Sequence, residues 1–304
     1  MDSGTSLKDV ITKIREMKTE KLSLSFTRKS RSGYTSFSPN ISASVLDDIW
    51  TLIDDYIAKM QNMDVIEYSP TAHQDETIEH CTTDSVKNYV DVLEGIRASE
   101  FTETEINPDN ITFYCLQMLG KSEADNVYFF RRVTRFKRLS TSGFWGLFQG
   151  KNFNRLDSKV LGIDGCVDVL CYHNHIFVFH HIALERIFDM KDQFSEMAEA
   201  ALEKIRDLGR IDNIGAFVDD CQDDKRIQRT LAKMLQEHDD FGRAFQDFEA
   251  VKHTIEIFEL DIEINDKKQI VYRDKGQIID ILRFIRDSYY ESILQKRNGI
   301  DDGT

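Results

Sequence analysis

Two apolar runs, Val167–Tyr172 and Ile176–His180, flank the tripeptide His173-Asn174-His175, and beyond His181 the apolar period lengthens from that of a strand to that of a helix. A short polar turn between two such runs predicts a β-hairpin. Leu184, Ile187, Phe188, Phe194, Met197, Ala201, Leu202, Ile205 and Leu208 then recur at helical spacing and predict one long amphipathic stripe. A chain that changes period once, in its middle, segregates strands from helices. The expected class is therefore α+β, with a mixed or antiparallel β block in the middle and a predominantly helical C-terminal part.

The flanking segments extend this reading. Leu7, Val10, Ile11, Ile14 and Met17 predict a first helix capped by Ser6, and Lys21–Thr27 alternates like a half-buried strand. Val45, Leu46, Ile49, Ile53, Tyr56, Ile57 and Met60 predict a second helix. Short strands follow at 63–68 and 77–81, then a helix over 86–96. Residues 111–119 and 126–134 carry the Tyr, Phe and Val content of strands. Ile262–Tyr272 predicts a hairpin turning at Asn265-Asp266-Lys267-Lys268, and Gln277–Lys296 a final helix burying Ile278, Leu282, Ile285, Tyr289 and Ile293. The polar stretch 99–110 is the candidate boundary. It separates an N-terminal α+β region (1–104) from a second domain (105–304), with its β block at 111–181 and its helical part at 182–304.

Ile227, Leu231, Met234, His238, Phe241, Phe245 and Phe248 alternate steps of four and three, which is heptad spacing. Gly242 interrupts it. Core packing within one chain is the first reading, and a helix pair between two protomers, hence a homodimer, is the alternative.

The net charge of −14 opposes polyanion binding on average, but the charge is segregated. Arg131, Arg132, Arg135, Lys137, Arg138, Lys151, Arg155 and Lys159 face a single acid, Asp157, within their span. Glu185, Asp189, Asp192, Glu196, Glu199, Glu203, Asp219, Asp220, Asp223 and Asp224 follow. Arg131, Arg132, Arg135, Lys137, Arg138, Lys151 and Arg155 are the candidate DNA-binding residues, through phosphates and with little base specificity. Arg28, Lys29 and Arg31 form a second, smaller basic cluster. Five scattered cysteines suit reduced thiols, and the absence of a long apolar run sets the expectation of a cytoplasmic protein.

Enzymatic motifs fit poorly. Gly150-Lys151 lacks the earlier glycine and the following Ser or Thr of a phosphate loop. Cys166, Cys171, His173, His175, His180 and His181 crowd together without zinc-ligand spacing, so no metal is expected. Asp164 and Asp168 precede a strand as acids do in metal-dependent nucleases, and Glu185 follows, but no acid-x-Lys accompanies them. A nuclease using Asp164 and Asp168 is the alternative function. No catalytic residue and no cofactor is assigned.

Gly150-Lys151-x-Phe153, Ile163-Asp164, Val167-Asp168-Val169 and Leu184-Glu185-Arg186-Ile187-Phe188, in that order, resemble the KwaB family of the bacterial Kiwa anti-phage system. Ile270–Leu294, which includes Tyr289-Tyr290-Glu291-Ser292, resembles that family's closing segment, so the likeness spans residues 111–294. The resemblance implies a cytosolic protein that binds double-stranded DNA and suppresses phage DNA replication. It also implies a membrane-embedded KwaA-like partner able to recruit the protein to the inner membrane. It supplies no catalytic residue.

Overall fold

The computed structural model describes residues 6–17, 21–30, 33–99, 110–133, 146–149, 151–155, 161–237 and 240–301. It is α+β, as the change of period predicts. The chain divides into two compact units, one of residues 1–68 with 75–190, the other of 69–74 with 191–304.

The first unit is built on a mixed eight-stranded sheet. Its strands are β1 (Lys21–Ser30), β2 (Gly33–Phe37), β3 (Asp64–Glu67), β4 (Thr77–Thr82), β5 (Phe113–Leu119), β6 (Val127–Arg132), β9 (Val169–Tyr172) and β10 (His175–Val178). They lie in the order β2-β1-β5-β6-β9-β10-β4-β3, so strands from both sides of residue 104 share one sheet. Among the described strands of this sheet only β3 and β4 pair in parallel. A separate hairpin joins β7 (Gly146–Gln149) to β8 (Asn152–Arg155).

Helices cover both faces. On one, α1 (Leu7–Glu16) and α2 (Ala43–Met60) pack Ile14, Trp50, Ile53 and Ile57 against Leu116, Phe129 and Leu170. Ser6 caps α1 with the predicted reciprocal bonds to Asp9. On the other face, α3 (Tyr89–Arg97) and the end of α4 (His181–Ile187) bring Tyr89 against Phe188 and Phe188 against Phe130, which in turn packs on Phe113. This second cover corrects the half-buried reading of β1. Its polar alternates Ser25 and Thr27 are fully buried and pair with other polar groups, Thr27 with Ser36 at 2.7 Å and Ser25 with Gln117 at 2.8 Å.

The predicted hairpin forms with a two-residue turn, His173 taking the left-handed φ of +53°. The stripe from Leu184 is two helices rather than one. Asp189 at φ +48° ends α4, and α5 (Lys191–Asp207) starts afresh in the second unit.

That second unit is mainly helical, with α6 (Ile214–Asp223), α7 (Lys225–Glu237), α8 (Phe248–Ile257) and α9 (Ile278–Ile285) packing with α5 around one core. Ile227, Leu231, Met234, Phe241 and Phe245 all lie in it, the helix having ended at Glu237, so the heptad-like stripe serves the unit's own core. The 262–272 hairpin forms about its predicted turn, the Asn265 amide donating to the Gln269 carbonyl at 2.9 Å and the Val271 amide to the Glu263 carbonyl at 2.8 Å, while the other edge of Ile270–Val271 (β12) pairs in parallel with Ile211–Asp212 (β11). The final helix stops at Ile285. Asp287 turns at φ +56° into an antiparallel pair, β13 (Tyr289–Glu291) with β14 (Asn298–Ile300), which leaves Ile293 87% exposed instead of buried.

His80 on β4 lies 3.0 Å, ring nitrogen to ring nitrogen, from His175 on β10. Burial first, then the neighbouring His175, hold its pKa below the ordinary 6.5, with Glu67 opposing. The fold thus favours neutral His80, while the unfolded chain takes up a proton. The stability this contributes is complete above the unfolded pKa and declines as pH falls through it. Thermal melts from pH 7.5 to 5 should show a shallower loss of stability in His80→Phe than in the wild type; identical slopes would contradict the assignment.

Candidate nucleic-acid interface

Strands β1 and β6 both run antiparallel to β5 and therefore run parallel to each other, ending at the same end of the sheet. Lys29 and Val133 meet across Thr112. The Lys29 amide donates to the Thr112 hydroxyl at 3.2 Å, and the Val133 amide to the Thr112 carbonyl at 3.0 Å. The two basic clusters of the sequence, Arg28-Lys29 and Arg131-Arg132, are thus neighbours on one rim. Alternation sends Arg28 and Arg131 to the face of α1 and α2, and Lys29 and Arg132 to the face of α3 and α4.

These cations have different fates. The Arg131 guanidinium forks onto Asp164, Nε to Oδ1 at 2.9 Å and Nη2 to Oδ2 at 2.6 Å, and its Nη1 reaches Asp168 Oδ1 at 2.6 Å. Burial alone would lower its pKa, but the hydrogen bonds and charges of Asp164 and Asp168 hold it above the ordinary arginine value. Asp168 is 2% exposed, and its second oxygen accepts the Arg132 amide at 2.7 Å. The Tyr114 hydroxyl donates to the Asp164 carbonyl at 3.1 Å. Burial, then the Asp164 charge, push the phenol pKa up. Lys29 is ion-paired with Asp189.

Arg132 is the opposite case. Its Nη1 is buried and has no hydrogen-bond partner among the described residues. Burial first, then the charge of Arg186, depress its pKa, and Asp168 offsets this only in part. Arg186 arrives on α4, which packs against β6, and its side chain is exposed. Among the described residues, two guanidiniums that repel each other, one with an orphaned donor, form a site with less negative charge than positive. Arg28 is exposed on the same rim.

Of the other predicted contacts, Lys151 is exposed in the turn between β7 and β8. Arg135, Lys137 and Arg138, and the side chain of Arg155, lie outside the described residues. Arg186 was not among the sequence candidates. It sits in an acidic stretch, and only the antiparallel return of β9 and β10 brings it to the end of β6.

The candidate nuclease acids are committed elsewhere. Asp164 and Asp168 both neutralise Arg131, so a metal ion there would have to displace a bidentate guanidinium. Glu185 accepts from the Tyr68 hydroxyl at 3.4 Å and lies 3.7 Å from His181, whose Nδ1 is 2.7 Å from buried Glu79. Among the clustered cysteines and histidines, Cys171 is a buried free thiol and Cys166 a partly buried one, while His175 pairs with His80.

The fold and the rim define an α+β protein whose sheet ends in a cationic edge. Over residues 109–295, more than half of the chain, the sequence matches the family described as Kiwa protein KwaB-like, and the chain belongs to that family. It is accordingly a Kiwa KwaB-like defence protein. No curated protein and no solved structure matches it. Among the described residues no helix is long and apolar enough to cross a membrane.

The loop that carries Asp164 is held tightly against α2. A Cβ built on Gly165 would lie 2.8 Å from the Leu52 carbonyl oxygen and 2.9 Å from its Cβ. Gly165→Ala must move helix backbone or withdraw Asp164 from Arg131. Urea denaturation should show a loss of about 1–3 kcal/mol, the usual cost of overpacking. An unchanged midpoint would mean that the loop yields freely.

Proposed function

We propose that this protein binds double-stranded DNA through the cationic end of its sheet, without marked sequence preference, as the DNA-contacting part of an anti-phage response that blocks phage DNA replication. One observation carries this reading: Arg132, whose Nη1 has no hydrogen-bond partner among the described residues, feels the charge of exposed Arg186 on one face of the rim, and exposed Arg28 lies on the other, where β6 leads into the segment bearing Arg135, Lys137 and Arg138. Such a rim offers point charges to phosphates and, among the described residues, presents no element shaped to enter a groove, so contact would be to backbone rather than to bases. Membership of the KwaB-like family supports the defence role. A KwaA-like membrane protein is the proposed partner that brings the protein from the cytoplasm to the inner membrane. A homodimer remains part of the proposal, with no particular surface assigned to it.

Arg131 is the internal control. It lies in the same basic run but is saturated by Asp164 and Asp168, so its replacement should act on stability before it acts on binding. Charge reversal at Arg28 and Arg186, both exposed, should weaken binding to unrelated duplexes alike. The slope of log K against log salt should flatten by about 0.9 for each phosphate no longer neutralised. Fluorescence anisotropy with two unrelated duplexes at two or more salt concentrations reads both effects. Unchanged curves for the double variant would remove the rim from the account, and weakening on one duplex alone would contradict phosphate readout.

A further inference from the structure

At the opposite end of the same sheet lies a cavity of about 420 Å³ that the DNA reading does not use. That size is within the range of small-molecule sites. Helix α3 lines one side with Tyr89, Leu93 and Arg97, spaced by four so that they share a helix face. Tyr128, at the start of β6, adds a second aromatic wall, and Asn174 closes the hairpin end.

The polar edge is held in place. Arg97 Nη1 lies 2.6 Å from Glu123 Oε1, and the Tyr128 hydroxyl hydrogen-bonds Arg97. Asn126 Nδ2 donates to that hydroxyl at 3.4 Å while its Oδ1 accepts the Gly120 amide at 2.9 Å. Glu123 opens a turn closed by reciprocal Ser122–Asp125 bonds. A Cβ on Gly120 would come within 2.6 Å of the Asp125 Cβ, so that loop is closed against its own backbone.

We propose that this cavity is a binding site for a nucleobase, delivered as a free nucleoside. Tyr89, Tyr128 and Leu93 give it one aromatic and aliphatic side, which suits a flat ring, and Thr83, Asn126, His173 and Asn174 give it a polar one. Its permanently charged lining residues, Arg97 and Glu123, neutralise each other and so favour a neutral ligand over an anion. Side by side, the guanidinium and the carboxylate present donors next to an acceptor, complementary to the acceptor–donor edge of a base. Asn126 and Asn174 already spend amide groups within the lining, Asn126 on Gly120 and Tyr128 and the Asn174 Oδ1 on the Thr83 hydroxyl, so the Arg97–Glu123 pair is the edge that reads the base. The proposal is independent of DNA contact at the rim, four residues further along β6 at Arg132.

Saturation-transfer NMR and calorimetry on the full chain, with guanosine, adenosine, cytidine and thymidine as probes and deoxyribose as control, test it. At least one nucleoside should bind and deoxyribose should not. Ala124→Trp, from an exposed position at the cavity, should fill the mouth without touching the core and weaken that nucleoside at least about tenfold. Glu123→Gln, also exposed, turns the acceptor edge partly into a donor and should change the ranking of the four bases. No binding by any nucleoside, or binding indifferent to both variants, would overturn the proposal. So would binding of a short single strand without binding of the nucleosides, which would assign the surface to a nucleic-acid chain instead.

Discussion

The organisation of the sheet depends on one contact, the Arg131 guanidinium held between buried Asp168 and half-exposed Asp164. Asp168 sits where three strands come together. Its carboxylate takes Arg131 and the Arg132 amide, its own amide donates to the Phe130 carbonyl, and its carbonyl accepts the amides of Phe179 and His180. A carboxylate so deeply buried is stable only with its charge answered and its oxygens hydrogen-bonded. Arg131 meets the first need and the Arg132 amide contributes to the second. The contact thus ties the end of β6 to the segment entering β9 and to the exit of β10, the point from which α4 starts.

The same contact sorts the charges of the rim. By consuming Arg131 it removes the cation that most obviously headed the basic run, while strand alternation leaves the Arg132 side chain on the other face, within the field of Arg186. The positive charge left for a partner is therefore fixed by topology rather than by the length of the run. The opposite end of the sheet is different in kind, with its charges paired and one side aromatic. One sheet can in this way offer two chemically distinct ends about 13 Å apart along β6, four residues at the rise of a strand.

Much of this was legible in the sequence, and the failures have physical causes. Helices α1 and α2, the hairpin at His173-Asn174 and the α+β class follow from period and caps, which are local signals. The partnership of Arg131 with Asp164 and Asp168 was not legible, because those acids lie 33 and 37 residues away, beyond the basic run itself. The stripe through Leu184 and Leu208 read as one helix because periodicity does not register a single left-handed residue such as Asp189. Likewise Ile293 fell at helical spacing after Ile285, yet Asp287 had already turned the chain away. In β1, Ser25 and Thr27 looked solvent-facing because alternation reports the polarity of a face and not whether a helix covers it. The cavity by α3 left no trace in the sequence beyond the spacing of Tyr89, Leu93 and Arg97, which also fits an ordinary buried helix face.

The claim on which the rest stands is that Arg131 and Asp168 are coupled to each other rather than to a ligand. A double-mutant cycle in urea, with Arg131→Met, Asp168→Asn and the pair, measures that directly in protein free of DNA and divalent metal. Each single variant should be destabilised and the pair should cost less than the sum of the two, by a coupling of about 1–3 kcal/mol. Additive destabilisation, with coupling near zero, would show that the two side chains do not depend on each other and would return both to the pool of residues free to meet DNA or a metal ion.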